Sequence, residues 1–136
     1  MLHFNDVYNI EERAKASTAE VKSEPVIVAG ASRFVTAFEQ RNMHQKLVLF
    51  SGDLFSPSHL STFLKGEQMV KVFNSLNVAV SCLGNHDLDF GIERMKELTA
   101  KTGKWLLSNL NVNGKPIGNL ETYAVREVPL ACSESN

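Results

Sequence analysis

Val78-Ala79-Val80-Ser81-Cys82-Leu83 is an apolar run that stops at the polar cluster Gly84-Asn85-His86-Asp87. The same pattern occurs twice upstream: Leu47-Val48-Leu49-Phe50 runs into Ser51-Gly52-Asp53, and Leu2-His3-Phe4 into Asn5-Asp6. Short apolar runs bounded by turn residues read as buried strands. In an open α/β sheet, ligands bind in the crevice outside the carboxyl ends of the strands. Three acceptor-rich tips at one sheet edge therefore predict a shared site of carboxylate and carbonyl oxygens plus an imidazole. That donor set suits a divalent metal, and a metal suits phosphate chemistry.

Between these strands the spacing predicts helices. Phe34, Val35, Phe38 and Met43 recur at helical intervals and give a helix from about Ser32 to Arg41. Met69, Val70, Phe73 and Leu76 line one face of a second, over Glu67 to Leu76. Ile92, Met95 and Leu98 mark a third, ending near Gly103 as a C′ glycine. Trp105 to Leu107 reads as a fourth strand, Asn113-Gly114 as a tight hairpin turn, and Tyr123 to Val128 as a short last strand. Residues 11 to 23 are polar without periodicity and read as a surface excursion. Ser56-Pro57-Ser58-His59 reads as a loop. Strands alternating with helices argue an α/β fold, a layered sheet of mostly parallel strands with flanking helices.

The 136 residues suffice for one modest domain. We expect a single partial domain over 1–136, with its motifs in 1–128 and a featureless tail at 129–136. The first strand is short and no closing helix follows Val128, so the sheet reads as truncated at both ends. A net charge of −1 gives no basic excess for nucleic acid. No apolar run approaches the roughly 18 residues that span a membrane. Met1 leads straight into the first strand without a basic or apolar leader, which predicts a cytoplasmic protein. Cys82, inside a strand that reads as buried, is expected to act as a small apolar group, and nothing places Cys132 for a disulfide.

Asp6 and Asp53, each after a strand, are carboxylates of the kind that also cap helices or make Asx turns. Capping, however, does not require both to meet an Asn-His-Asp cluster at one edge. A dinuclear site needs a bridging oxygen between cations roughly 3.5–4 Å apart. Asp53 can bridge, and Asn85 can add a neutral carbonyl oxygen. Asp89 stands three residues after His86, on its side of a helical turn. A carboxylate on one imidazole nitrogen fixes the tautomer and raises the basicity of the other. His3 alternates away from Asp6, and His44 and His59 read as solvated loop residues. Asn109 follows the fourth strand, either reaching the crevice or sitting in a turn.

Asn5-Asp6-Val7, Gly52-Asp53 and Gly84-Asn85-His86-Asp87-Leu88-Asp89-Phe90-Gly91 resemble, in order and spacing, the first three motifs of calcineurin-like metallophosphoesterases. The third is most similar to the 5′-nucleotidase branch. The resemblance covers roughly residues 1 to 128 and implies a hydrolase of phosphate monoesters with two divalent metal ions: manganese, zinc, iron, cobalt or magnesium. It implies Asp6 as a ligand of the first metal, Asp53 as the bridging carboxylate and Asn85 as a ligand of the second. His86 would stabilise the phosphoryl transition state or protonate the leaving oxygen, oriented by Asp89. The implied partner is a phosphorylated small molecule such as a nucleoside monophosphate, in nucleotide catabolism, with no organic cofactor.

Two departures stand out. Where the family's first motif carries a metal-binding histidine, this chain has Tyr8, and a neutral phenol is a poor ligand at its ordinary pKa near 10. The family takes further ligands, mostly histidines, from later motifs, whereas no histidine follows Asp89 here. The resemblance therefore implies a missing carboxy-terminal part of the same domain, without which the chain is expected to be a poor hydrolase. The alternative is a non-catalytic member that keeps the fold as a binding or regulatory module. A Rossmann-type dinucleotide binder fits the sheet but lacks the glycine fingerprint after the first strand.

Overall fold

The structure, a computed structural model, describes residues 1–15, 26–40 and 47–127. Strand β1 (Leu2–Phe4) is followed by a hairpin of β2 (Glu12–Lys15) and β3 (Val26–Ala29), then α1 (Ala31–Gln40) and β4 (Val48–Phe50). Next come α2 (His59–Leu64), α3 (Glu67–Asn74), β5 (Val80–Cys82), a 3₁₀ turn at His86–Leu88, and α4 (Ile92–Lys101). Short strands β6 (Trp105–Leu106), β7 (Asn111–Val112) and β8 (Lys115–Pro116) follow. The main sheet has the order β1-β4-β5-β6, and all its pairings are parallel. The expected α/β architecture is thus the observed one. No helix among the described residues is long and apolar enough to cross a membrane.

Register explains how the core is made. Phe4, Phe50, Ser81 and Trp105 lie side by side across four strands and face the same way. Ser81 is small, so the Phe50 and Trp105 rings on either side meet edge to face at 6.0 Å. Phe73 of α3 packs on both, at 5.0 and 5.8 Å. Phe34 and Phe38 of α1 and Leu98 of α4 join the same cluster. Offset aromatic contacts of this kind add about 0.5–1.5 kcal/mol each beyond burial.

The opposite face carries His3, Leu49, Val80, Cys82 and Leu106. Cys82, expected to be buried, is exposed. Its run is apolar as befits a parallel strand covered on both faces, but the described residues cover only the Phe50 face. Cys132, Met43 and His44 lie outside the described residues.

Three other expectations fail for identifiable reasons. Residues 12–15, read as part of a polar excursion, form β2 antiparallel to β3. An edge strand needs no apolar alternation when its neighbour supplies the pairing, and Arg33 of α1 anchors Glu12 at 2.7 Å. Of Ser56 to His59, read as a loop, Ser58 and His59 open α2 as its N-cap and first residue. The Ser58 hydroxyl accepts from Ser61 N–H at 3.0 Å while Ser58 N–H donates to Ser61 Oγ at 2.8 Å, a complete capping box. Tyr123 to Val128 forms no strand over its described part, because only Glu121 bridges to Leu106 and Tyr123 and Val125 point into solvent. Asn113 and Gly114 do make the predicted turn, both with positive φ (52° and 75°), joining β7 to β8.

Helices α3 and α4 are tied by Glu67, whose carboxylate accepts from Lys101 Nζ at 2.8 Å and Arg94 at 2.7 Å. The Lys101 bond, then the Arg94 bond, hold the Glu67 carboxyl below its ordinary 4.5. A carboxyl depressed on folding adds stability above its unfolded pKa and loses it as pH falls through the folded value. Wild type should therefore have a higher urea midpoint than Glu67→Gln at neutral pH. The gap should close as the solution is acidified below about 4.5. A gap that survives full protonation would assign the effect to shape and not charge.

Candidate functional site

The tips after β1, β4 and β5 are drawn together by the backbone before any side chain acts. Ser51 N–H donates to Phe4 O, Asp6 N–H to Gly52 O and Val7 N–H to Asp53 O, each at 3.1 Å. The second and third tips touch so closely that glycine is required at both. A Cβ on Gly52, whose φ is +94°, would lie 2.3 Å from Gly84 N, and one on Gly84 would lie 2.1 Å from Asp53 Oδ1. Asp6 and Asp53 themselves have φ of 54° and 63°. Left-handed conformations are uncommon for side-chain-bearing residues, though less so for aspartate, and cluster at functional sites.

The carboxylates of Asp6 and Asp53 face one hydroxyl. Tyr8 donates to Asp6 Oδ1 at 2.5 Å and lies 3.2 Å from Asp53 Oδ2. Two atoms within those reaches of a single oxygen are closer together than twice the roughly 3.5–4 Å separation of a metal pair. The remaining oxygens are also engaged: Asn5 Nδ2 donates to Asp6 Oδ2, and His86 N–H donates to Asp53 Oδ1 at 2.8 Å. The Asp6 hydrogen bond, then burial, then the charge of Asp53, hold the Tyr8 phenol well above its ordinary range.

His86 projects beside this pair. Its Nδ1 lies 2.9 Å from Asp89 Oδ2, across one 3₁₀ turn. That bond raises the imidazole pKa and lowers that of the carboxyl. The Tyr8 ring meets the His86 ring edge-on, with centroids 6.1 Å apart. Asn85, the residue before His86, is exposed. His3 turns to Ser51 Oγ at 2.5 Å, and His59 is the first, exposed residue of α2. Asn109 is exposed between β6 and β7. A cavity of about 460 Å³ opens next to Asp6 and Tyr8, lined further by Val7, Ile10, Arg33 and Phe34.

Asp87 is the residue that sequence reasoning missed. It is 2% exposed. One oxygen accepts from Asp53 N–H and Gly84 N–H at 2.9 Å each, and the other from Leu54 and Phe55 N–H at 2.8 and 3.2 Å. Burial pushes its carboxyl up, against the pull of those four donors. The acid directly after Gly-Asn-His, within a turn that must contact a neighbouring loop, was the available signal.

Among the described residues, no group of three or more His, Cys, Asp or Glu side chains is arranged to hold a metal ion. The oxygens of Asp6, Asp53 and Asn85 are of the right type for a divalent cation. Where the two carboxylates approach, however, a phenol hydrogen stands between them.

No family model matches the chain. It is 27% identical to human 5′-nucleotidase over 117 residues, 85% of this chain and 20% of that protein. It is also 27% identical to a snake venom 5′-nucleotidase of Crotalus adamanteus over 126 residues, 90% of this chain and 21% of the relative. The chain spans about a fifth of the length of the curated relatives it matches. In structure it is similar to a 5′-nucleotidase precursor of Thermus thermophilus, with a TM-score of 0.74 and 23% identity over 93% of this chain and 25% of that one. The NAD nucleotidase of Haemophilus influenzae superposes with a TM-score of 0.64 and 24% identity, covering 79% and 20%. The cytoplasmic expectation does not survive this comparison. The relatives include snake venom 5′-nucleotidases and a 5′-nucleotidase precursor, and those names do not fit a cytoplasmic protein. On motif, fold and likeness together, the chain is similar to the amino-terminal part of 5′-nucleotidases and shares the fold of the calcineurin-like metallophosphoesterases that its motifs resemble.

Proposed function

We propose that the chain is part of a metal-dependent hydrolase of phosphate monoesters, 5′-nucleotidase-like, with residues 1–136 forming one partial domain. The observation that supports the reading best is the meeting of Asp6, Asp53 and the His86–Asp89 pair at the carboxyl edge of a parallel sheet. Asp53 and Asn85, with Asp6, would hold divalent cations, and bound cations would supply charge neutralisation for a phosphate and a water acidified near neutrality. His86, fixed through Nδ1 by Asp89, would present Nε2 to the phosphoryl oxygens or to the leaving oxygen. Asp87 keeps the Asp53 and Asn85-His86 tips at a fixed separation. The neighbouring cavity, about 460 Å³ with Arg33 at its wall, has the size of a small-molecule site. A nucleoside monophosphate is the substrate class that the names of the relatives suggest.

Equilibrium dialysis with manganese or zinc tests this reading. The chain should bind the ion in a manner that depends on Asp53, with Asp53→Ala losing most of it. Equal uptake by both would remove the metal site and leave the second reading, a binding or regulatory module. That second reading draws its support from the Tyr8 hydroxyl placed between the two carboxylates.

A further inference from the structure

We propose that the Tyr8 hydroxyl of this chain takes the place of the first divalent cation, cross-linking Asp6 to Asp53, so that the protein takes up one ion, at Asp53 and Asn85, and not two. The inference rests on the metal-site reading above and makes it narrower.

Two carboxylates this close repel each other unless something positive or proton-donating stands between them. In a dinuclear site the cation does this. Here the work is done entirely by donors of the chain. Tyr8 bonds Asp6 Oδ1 and reaches Asp53 Oδ2, Asn5 serves Asp6 Oδ2, and His86 N–H serves Asp53 Oδ1. Each of the four oxygens thereby has a donor, and both oxygens that face each other across the gap share the phenol. An ion entering between the carboxylates must displace the phenol from both and find no imidazole in its stead.

The phenol is not a side chain that swings away at little cost. Val7, just before it, is anchored by its N–H to Asp53 O at 3.1 Å. Its ring is braced edge-on against His86. Nor does the phenol offer what it displaces, since its oxygen donates to the carboxylates and adds no negative charge. Asp53 Oδ1 is not touched by the phenol and accepts from the N–H of His86, the residue after Asn85, at 2.8 Å. The exposed Asn85 amide makes no hydrogen bond among the described residues, and its oxygen is available.

The test is manganese stoichiometry by equilibrium dialysis, read out by the ion's paramagnetic resonance, on the full chain and on Tyr8→Phe, Tyr8→His and Asp53→Ala. Wild type should bind one ion per chain. Tyr8→His, which removes the hydroxyl and adds an imidazole, should bind two, the second at least tenfold more tightly than any second ion of the wild type. Tyr8→Phe should hold manganese no more weakly than wild type, because only a competitor has been removed. Circular dichroism confirms that each variant is folded. Two ions in wild type with one lost in Tyr8→Phe would make the phenol oxygen a ligand and overturn the proposal, leaving the metal-site reading intact. One ion in Tyr8→His, bound as in wild type, would also overturn it. No manganese in any variant, with Asp53→Ala indistinguishable from wild type, would instead sink the metal-site reading itself.

Discussion

Asp87→Ala is expected to unfold most of the chain at neutral pH, or to lower its urea midpoint so far that little native signal survives. The Asp87 carboxylate is the acceptor for four backbone N–H groups, from Asp53, Leu54, Phe55 and Gly84. The turns that carry them are buried at Asp53, Leu54 and Phe55. A buried donor left without an acceptor costs about 1–3 kcal/mol. Four such losses amount to roughly 4 kcal/mol or more, a large share of the roughly 5–15 kcal/mol by which a domain is stable. Water entering the cavity would recover part of this. Asp87→Asn should be only moderately better. It keeps one acceptor oxygen, but its amide nitrogen must then face two N–H donors, and the variant is close to isosteric, so packing is not the cause of the loss. A urea midpoint for Asp87→Asn equal to wild type would show that the four contacts carry no net stability.

This residue also illustrates what a sequence conceals. Three of its four partners lie more than thirty positions upstream and all are main-chain groups, which every residue type possesses, so nothing in their identity announces the contact. The strands β1, β4 and β5, the C′ glycine at Gly103 (φ +93°) and the Asn113-Gly114 turn were legible because each is written in a local pattern. The β2 strand was not, because Glu12 to Lys15 owes its conformation to pairing with β3 and carries no periodicity of its own. Serines 58 and 61 have turn chemistry in either setting, and only the reciprocal hydrogen bonds decide for a helix start. The exposure of Cys82 depends on what covers the second face of the sheet, which no stretch of residues 78–83 can specify. The meeting of Asp6 with Asp53 was legible in outline, from their common place after strands. The hydroxyl between them was not, since Tyr8 read simply as a poor substitute ligand.

His86→Ala, in a chain carrying the rest of the length over which its relatives extend, is expected to lower kcat by roughly two to four powers of ten, the scale of a positioned general acid–base group. Its KM should change far less if, as proposed, His86 serves the reacting centre and not the substrate's remainder. Nδ1 is committed to Asp89 at 2.9 Å, so Nε2 is the nitrogen left to act. The backbone N–H of His86 is meanwhile fixed on Asp53 Oδ1 at 2.8 Å, which holds the ring at a set distance from the carboxylate pair. That second bond survives the substitution, since alanine has the same N–H. Manganese uptake should therefore be retained in His86→Ala, while turnover of a nucleoside monophosphate collapses. Asp89→Asn should lie between the two proteins, because the imidazole remains but loses the carboxylate that orients it. Loss of manganese from a folded His86→Ala protein would make His86 a ligand, and unchanged kcat would remove it from the chemistry altogether.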